Sequence, residues 1–271
     1  MKKINISIKK LNKFAGKWVA INPKKNKIIA ESIKIELKDL LDAGCHFGHQ
    51  SQRWNPKMAT FLYGVRDGVH IFDLAKTKEN LEKAAEFVKN LVAQGGQIIF
   101  VGTKRQAKAI IKEEAQRVDM PFVAERWLGG LLTNFDNLKK SIDKLKDLKT
   151  KKDSGELKKY TKKENILIDR EIARLERFFG GLVDLEGLPS ALFVIDVKKE
   201  QAALREAVRK EIPVVAVVDS NGDPDLVDWL IPANDDAVGS VKLIVSVIAQ
   251  AVLAGQEIKK KKKDKETAKI E

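Results

Sequence analysis

The sequence IIFVGTKR, residues 98–105, decides the fold because four apolar residues stand directly before a glycine and a basic turn. A short apolar run of this kind is typical of a strand buried on both faces of a parallel sheet. Two similar runs follow, ALFVI at 191–195 and VVAVV at 214–218. Amphipathic segments alternate with these runs. The pattern predicts an α/β fold, a doubly wound parallel sheet with helices on both faces.

A long insertion interrupts this alternation between Gly129-Gly130 and Gly180-Gly181. Two segments within it repeat apolar residues at steps of three and four, which is the spacing of a coiled-coil seam. The repeated residues are Phe135, Leu138, Ile142, Leu145 and Leu148, then Ile168, Ile172, Leu175 and Phe179. We therefore expect an α-helical coiled-coil hairpin at residues 131–179 that forms a semi-independent appendage of the domain.

The two ends of the chain differ from the central domain, residues 36–255. Residues 1–35 contain the apolar runs WVAI at 18–21 and KIIA at 27–30 on either side of a polar turn, which predicts an extension with a β-hairpin. A second hairpin is predicted around Arg66-Asp67-Gly68. Residues 256–271 include five consecutive lysines and are expected to form a basic, disordered tail.

Positive charge is concentrated in these appendages. The chain has a net charge of +13, and residues 1–38 carry 11 lysines against 2 glutamates. Residues 129–181 carry 14 basic against 9 acidic residues, whereas residues 182–255 carry 6 against 12. Basic arms on a neutral to acidic domain favour a polyanionic partner such as nucleic acid. A solvated, lysine-rich surface with disordered ends is the alternative.

The single cysteine, Cys45, excludes an internal disulfide, and no run approaches the 18 apolar residues of a membrane span. These observations favour a cytoplasmic protein without a membrane partner.

The sequence contains no complete catalytic set. Gly102-Thr103-Lys104 follows a strand, but it lacks both the P-loop spacing and the three glycines of a dinucleotide fingerprint. CHFGH at 45–49 offers metal-ligand residue types without a second cluster to complete a site. Carboxylates follow two strands, at Asp196 and at Asp219, Asp223, Asp225 and Asp228. They suit turn formation first and a structural cation second. We expect no enzyme activity, cofactor, metal or small-molecule substrate.

Two loops have the composition of an RNA contact. RWNPK at 53–57 and ERWLGG at 125–130 each join a cation to a tryptophan, so that the cation can meet phosphate while the indole stacks on a base. The alternative is that the tryptophans pack in the core, and this is at least as plausible for Trp127. The predicted RNA-binding residues are Arg53, Trp54, Asn55, Lys57, Lys104, Arg105, Arg126, Lys139 and Lys140.

Six ordered blocks between about residues 36 and 255 carry a family resemblance. They are AGCHFGH with WNPKM (43–49, 54–58), GVHIFDL (68–74), FVGTKR (100–105), RWLGGLLTN (126–134), GLPSALFVID (187–196) and IPANDD (231–236). Together they resemble the bacterial type of the small-subunit ribosomal protein two family. The extension at 1–35 and the basic tail depart from the family pattern.

The resemblance implies a flavodoxin-like domain with an inserted helical hairpin and no catalysis. It implies a structural constituent of the small ribosomal subunit that binds small-subunit ribosomal RNA and neighbouring ribosomal proteins in the cytoplasm. The large mRNA-binding ribosomal protein one is among the implied partners. Two alternatives stay open at this point. One is a nucleotide-dependent phosphotransferase that uses Lys104 and the Asp219 cluster, and the other is a free RNA-binding regulator.

Overall fold

The computed structural model of the protein describes residues 35–267, and these residues form an α/β domain. The hairpin predicted near the N-terminus falls within residues 1–34, outside the described residues. The strands are β1 Phe47–Gln50, β2 Leu62–Arg66, β3 Val69–Phe72, β4 Ile98–Val101, β5 Phe122–Val123, β6 Ala191–Ile195, β7 Val214–Val218 and β8 Trp229–Pro232. The α-helices are α1 Leu37–Asp42, α2 Leu74–Ala93, α3 Lys108–Arg117, α4 Phe135–Asp153, α5 Lys162–Phe179, α6 Gln201–Lys210 and α7 Val238–Thr267.

The main sheet is parallel and has five strands in the order β5-β4-β6-β7-β8. This order is compatible with the flavodoxin-like arrangement, in which the direction of winding reverses between the two central strands. Here the reversal lies between β4 and β6. Every residue of β4, β6 and β7 is buried, as their continuous apolar runs predict. The loops that follow these strands therefore meet along one edge of the sheet, the carboxyl edge.

Helices cover both faces of this sheet. On one face α7 packs between α2 and α3, and α2 also contacts β8. On the other face Ile99, Leu192 and Val214 belong to one apolar cluster with Leu204 of α6. The alternate residues Phe100 and Phe193 meet edge to face, with 5.4 Å between their ring centroids. The doubly wound arrangement follows because strands buried on both sides need an apolar helix on each side.

A second sheet is antiparallel, with the order β1-β3-β2. The hairpin predicted around residue 67 is confirmed. Asp67 and Gly68 both have positive φ, at 52° and 75°, as the tight turn between β2 and β3 requires. The third strand, β1, was not foreseen from the sequence.

The inserted segment consists of two helices, α4 and α5, which contact each other. Their inner residues Ile142, Leu145 and Ile172 are buried in the same apolar cluster as one face of the sheet. Leu148 and Ile168, nearer the tip, are only partly buried. The base of the insertion is therefore part of the domain core, which differs from the semi-independent appendage expected from the sequence.

The last helix, α7, extends to Thr267, whereas the sequence predicted disorder from residue 256. The disorder prediction is therefore wrong as far as that residue. Lysine is a good helix former, and residues added to an existing helix avoid the cost of nucleation. A buried helix thus propagates into a segment that composition alone marks as disordered.

Part of α7, Val238–Lys262, is also long and apolar enough to cross a membrane. No such segment was expected from the sequence. However, 56% of its apolar window is buried inside the domain, against α2 and α3. Apolar character on all sides of a helix is also what a core position requires, so the contacts identify α7 as a core helix.

Replacing residues 149–167 by a short Gly-Ser linker should leave the melting temperature close to that of the wild type, because this tip lies beyond the shared core. Replacing residues 133–178 should prevent stable folding. It removes several buried side chains worth about 2–5 kcal/mol each, against a typical stability of about 5–15 kcal/mol. Thermal melting followed by circular dichroism checks both. A long replacement that melts like the wild type would show that the base is dispensable.

Candidate nucleic-acid interface

The loop that carries Arg53 and Trp54 is fixed to the carboxyl end of β7. The Asn55 amide donates to the Ser220 carbonyl at 2.7 Å, and the His49 amide donates to the Ser220 hydroxyl oxygen at 2.8 Å. Gly48 allows this approach, because a Cβ there would lie only 2.9 Å from Ser220 Oγ. The small sheet and the loop between its strands β1 and β2 are thereby docked on the carboxyl edge of the main sheet.

Trp54 lies partly exposed on this loop, with 37% of its surface accessible. Its ring packs on the His70 imidazole, with 4.8 Å between centroids and 31° between planes. His70 is buried, both of its ring nitrogens lack a hydrogen-bond partner, and burial lowers its pKa. An uncharged ring therefore supports Trp54 from below. One face of the indole is packed and part of the side chain remains open to solvent.

Asn55 and Lys57 have internal contacts. The Asn55 side chain accepts from the Lys57 amide at 3.1 Å and caps the short helical turn that follows. The Lys57 ammonium binds Asp223 at 2.9 Å and Asp225 at 2.6 Å, and these contacts raise its pKa. The charge of Lys57 is thus compensated by the loop after β7.

Lys104 is compensated more fully. Its ammonium lies 2.8 Å from Asp235, 2.6 Å from Asp236 and 3.7 Å from Asp196. Burial lowers the pKa of Lys104, but the hydrogen bonds to Asp235 and Asp236 outweigh it and raise the pKa well above its ordinary value. Only 14% of the side chain is exposed. Lys104 therefore cross-links loops at the carboxyl edge in this structure.

His49 completes this charged cluster. Its Nδ1 lies 2.9 Å from Asp219, and this hydrogen bond raises the pKa of His49. Burial, together with the charges of Asp219 and Asp196, raises the pKa of Asp235. Ligand atoms of His49, Asp219 and Asp235 lie within 4.8 Å of one another, close enough to hold a metal ion. The same atoms are already bonded to each other or to Lys104, so hydrogen bonding accounts for the arrangement.

The guanidinium groups of Arg53, Arg105 and Arg126 are exposed and, among the described residues, none forms an ion pair with a carboxylate of another residue within 4.0 Å. Arg53 stands beside Trp54, and Arg105 follows β4 at the carboxyl edge. Arg126 precedes the insertion. These three cations are available to an external anion, unlike Lys57 and Lys104.

The loop after Arg126 is organised by one carboxylate, Glu206 of α6, which is 7% exposed. It accepts from the Trp127 indole at 3.1 Å and from the Gly130 and Leu132 amides at 2.8 and 3.0 Å. Both the amide and the hydroxyl of Thr133 also donate to it. Burial raises the pKa of Glu206, but these donors outweigh it and hold the pKa below its ordinary value. Trp127 is therefore a core residue, as the alternative interpretation held.

Three lysines of the insertion are paired between its two helices. Lys144, Lys149 and Lys152 of α4 bind Glu171, Glu176 and Asp169 of α5 at 3.1, 2.8 and 2.7 Å. Lys139 donates to the Glu186 carbonyl at 3.2 Å, whereas Lys140 is exposed. These pairs compensate only part of the basic charge that the sequence assigns to this segment.

Sequence reasoning missed three residues that shape this site: His49, Glu206 and Ser220. His49 was noted only as a metal-ligand type. Glu206 carries no local signal, because its donors lie 73 to 79 positions away in the chain. The order of the strands had to be known before these partners could be brought together.

Comparison with known proteins gives the chain its family. A family model described as ribosomal protein S2 matches residues 40–255. The small ribosomal subunit protein uS2 of Coprothermobacter proteolyticus is 51% identical over 223 residues, which cover 82% of this chain and 83% of that protein.

The chain belongs to the ribosomal protein S2 family. Members of this family are structural constituents of the small ribosomal subunit and are not enzymes. As a constituent of the small subunit, this S2 family protein is ribosome-bound, which in bacteria places it in the cytoplasm. The phosphotransferase alternative is thereby excluded, and the compensated state of Lys104 agrees with its exclusion.

Substituting Glu206→Gln should lower the free energy of unfolding by about 3 kcal/mol at neutral pH, because an amide cannot satisfy donors that a charged carboxylate accepts. Since the folded-state pKa of Glu206 is depressed, its stabilisation is complete above the ordinary value of 4.5 and is lost as pH falls through the folded pKa. The difference between wild type and variant should therefore shrink in acid. Urea unfolding followed by circular dichroism measures it.

The matched control is Glu113→Gln, an exposed glutamate on α3. This variant should unfold with the wild-type free energy at every pH tested. Equal stabilities of the two variants would show that Glu206 does not organise the loop.

Proposed function

We propose that Arg53, Trp54 and Arg105 form a contact for small-subunit ribosomal RNA at the carboxyl edge of the sheet. Arg53 and Trp54 share one loop, and that loop is bonded to Ser220. Two exposed guanidinium groups can meet phosphates, and the accessible part of the indole can stack on a base or ribose. The single observation that carries this assignment is the half-open indole of Trp54 beside an uncompensated arginine.

The other predicted contact residues fall into two groups, those that are exposed and those whose side chains are bonded to other residues of the domain. We assign Arg126 and Lys140 to RNA as well, because both are exposed. Asn55, Lys57, Lys104 and Lys139 are bonded within the domain, and we assign them a positioning role at the edge of the contact. Lys57 and Lys104 in particular are paired with carboxylates, so that RNA near them would meet little net positive charge.

Substituting Trp54→Ala should weaken rebinding to small subunits depleted of this protein by about 1–3 kcal/mol without changing the salt dependence, because stacking releases few counterions. Substituting Arg53→Gln should lower the slope of log affinity against log salt by roughly 0.7 to 0.9, the value for one phosphate contact. Sedimentation of subunits with labelled protein at several KCl concentrations measures both quantities.

The control is Trp229→Ala. The Trp229 ring stacks on the Phe87 ring, with 4.9 Å between their centroids, and Trp229 is not part of this loop. This variant should lower the melting temperature of the free protein and leave its affinity for subunits unchanged where the protein is folded. If Trp54→Ala behaves in the same way, Trp54 is a packing residue and the proposed contact is wrong.

We further propose that α4 and α5 pair as an antiparallel coiled coil. Apolar residues recur at the spacing of a coiled-coil seam, and three ion pairs cross between the helices on their outer surface. Pairing of this kind compensates charge within the insertion. We therefore expect the surface that carries these three ion pairs to contribute more to contacts with neighbouring ribosomal proteins than to phosphate binding.

We propose that the large mRNA-binding ribosomal protein one docks on an exposed apolar patch made by Leu37, Leu41, Phe47 and Val238. Each of these side chains is 48 to 55% exposed. The end of α1 and the start of α7 adjoin, because a Cβ on Gly239 would lie 2.9 Å from the Ala43 carbonyl oxygen. Apolar side chains grouped on neighbouring elements are typical of a protein contact rather than of an RNA contact.

Subunits rebuilt with the double substitution Phe47→Ser and Val238→Ser should retain this protein but bind several-fold less ribosomal protein one, since the patch loses two apolar side chains. The control pair is Tyr63→Ser and Val65→Ser, which are 84 and 54% exposed on β2. Immunoblotting of purified subunits gives the amount of ribosomal protein one relative to the amount of this protein. Equal amounts of ribosomal protein one on both would contradict docking at this patch.

A further inference from the structure

The last helix changes character abruptly along its length. Up to about Ala254 it is apolar and packs against α2 and α3. Gly255 permits the closest approach, because a Cβ there would lie 2.6 Å from the Lys89 carbonyl oxygen. The Gln256 side chain then donates to the Val118 carbonyl at 2.7 Å. These two contacts end the buried part of the helix and fix the direction in which it leaves the domain.

Beyond Gln256 the helix continues to Thr267, a length of roughly 16 Å at 1.5 Å per residue. Lys259, Lys260, Lys261 and Lys262 stand in succession on this projection and all four are exposed. Successive residues of a helix point about 100° apart, so these ammonium groups surround the helix on most sides. The projection therefore presents positive charge in several directions from a fixed axis.

The four lysines form no ion pair among the described side chains. Within the described side chains, none of them lies within 4.0 Å of a carboxylate, whereas Lys57, Lys104 and Lys144 all do. Placing four like charges on consecutive residues costs repulsion energy. The attraction of cations to a helix C-terminus offsets only part of that cost. An external anion would remove the rest.

The position of the projection separates it from the Trp54 surface. Val118 precedes β5, and Gly95, whose Cβ position lies 3.6 Å from the Lys259 ammonium, precedes β4. Both mark the amino ends of strands in the parallel sheet. Arg53, Trp54 and Arg105 lie at the carboxyl ends. One molecule thus carries two basic surfaces on opposite edges of its sheet.

We propose that Lys259–Lys262 form a second RNA-binding surface, which binds phosphates independently of base sequence. This inference rests on the proposed function, because it takes the RNA of the small subunit as the anion. Lysine ammonium groups act as point charges on phosphates, and a rigid helix supplies them at a lower ordering cost than a flexible tail. RNA is favoured over an acidic protein surface because the charges point around the helix rather than toward one face.

The test compares two triple substitutions of equal charge in the full chain. Lys260, Lys261 and Lys262 are changed to Gln in one variant, and the paired Lys144, Lys149 and Lys152 in the other. Rebinding to depleted small subunits is measured from low to high KCl. The first variant should lower the slope of log affinity against log salt by roughly 2 to 3, at about 0.7 to 0.9 per phosphate contact. The second should change it much less. Circular dichroism confirms that both remain folded.

Chemical crosslinking of lysine to RNA in reconstituted subunits identifies the anion. A peptide containing residues 259–262 should be recovered attached to RNA. Crosslinks from this peptide to protein alone, or equal salt slopes for both variants, would overturn the inference. The Arg53→Gln variant separates the two claims. If it loses affinity while the α7 variant does not, the carboxyl-edge contact stands and the second surface falls; if wild-type protein does not rebind at all, both fall.

Discussion

The turn formed by Asp219 and Ser220 is the constraint on which the arrangement of the site depends. It follows β7, and it is almost completely buried. His49 of β1 bonds to this turn through its amide and its imidazole, and Asn55 of the loop between β1 and β2 bonds to it through its amide. The small sheet therefore has one defined position on the parallel sheet. Trp54 and Arg53 are presented at the carboxyl edge because that bond, together with the buried Met58 of the same loop, holds the loop in place.

Compensation of charge inside the domain decides which cations can act outside it. The chain carries 51 basic and 38 acidic residues, and the sequence alone concentrates the excess of basic charge in its two ends and its insertion. In the folded domain some of these cations form ion pairs with carboxylates of the same chain. Lys104 joins the loops after β4, β6 and β8 through carboxylates, and lysines of the insertion join its two helices. Among the described residues, Arg53 and Arg105 at the carboxyl edge and Lys259–Lys262 on the projecting end of α7 are exposed and form no ion pair. Their grouping is a stronger indication of specific contact than the net charge.

Sequence patterns predicted the architecture well where the signal was local. Continuous apolar runs identified β4, β6 and β7, and Asp67-Gly68 identified the hairpin between β2 and β3, since each depends on a few adjacent residues. Long-range bonds were beyond such reasoning. Glu206 accepts five hydrogen bonds from a loop that is distant in sequence, and no pattern in the residues near Glu206 indicates that role. The lysine run near the C-terminus was assigned to a disordered tail because composition ignores the buried helix that precedes it.

The central claim is that the loop of Arg53 and Trp54 touches the RNA of the small subunit. Ultraviolet irradiation of intact native subunits, followed by nuclease digestion and mass spectrometry, tests it without any substitution. Stacked aromatic side chains crosslink efficiently to bases, so a peptide with a nucleotide attached at or next to Trp54 is the expected product. Recovery of that peptide only in its unmodified form, while other peptides of the same protein carry nucleotides, would contradict the claim.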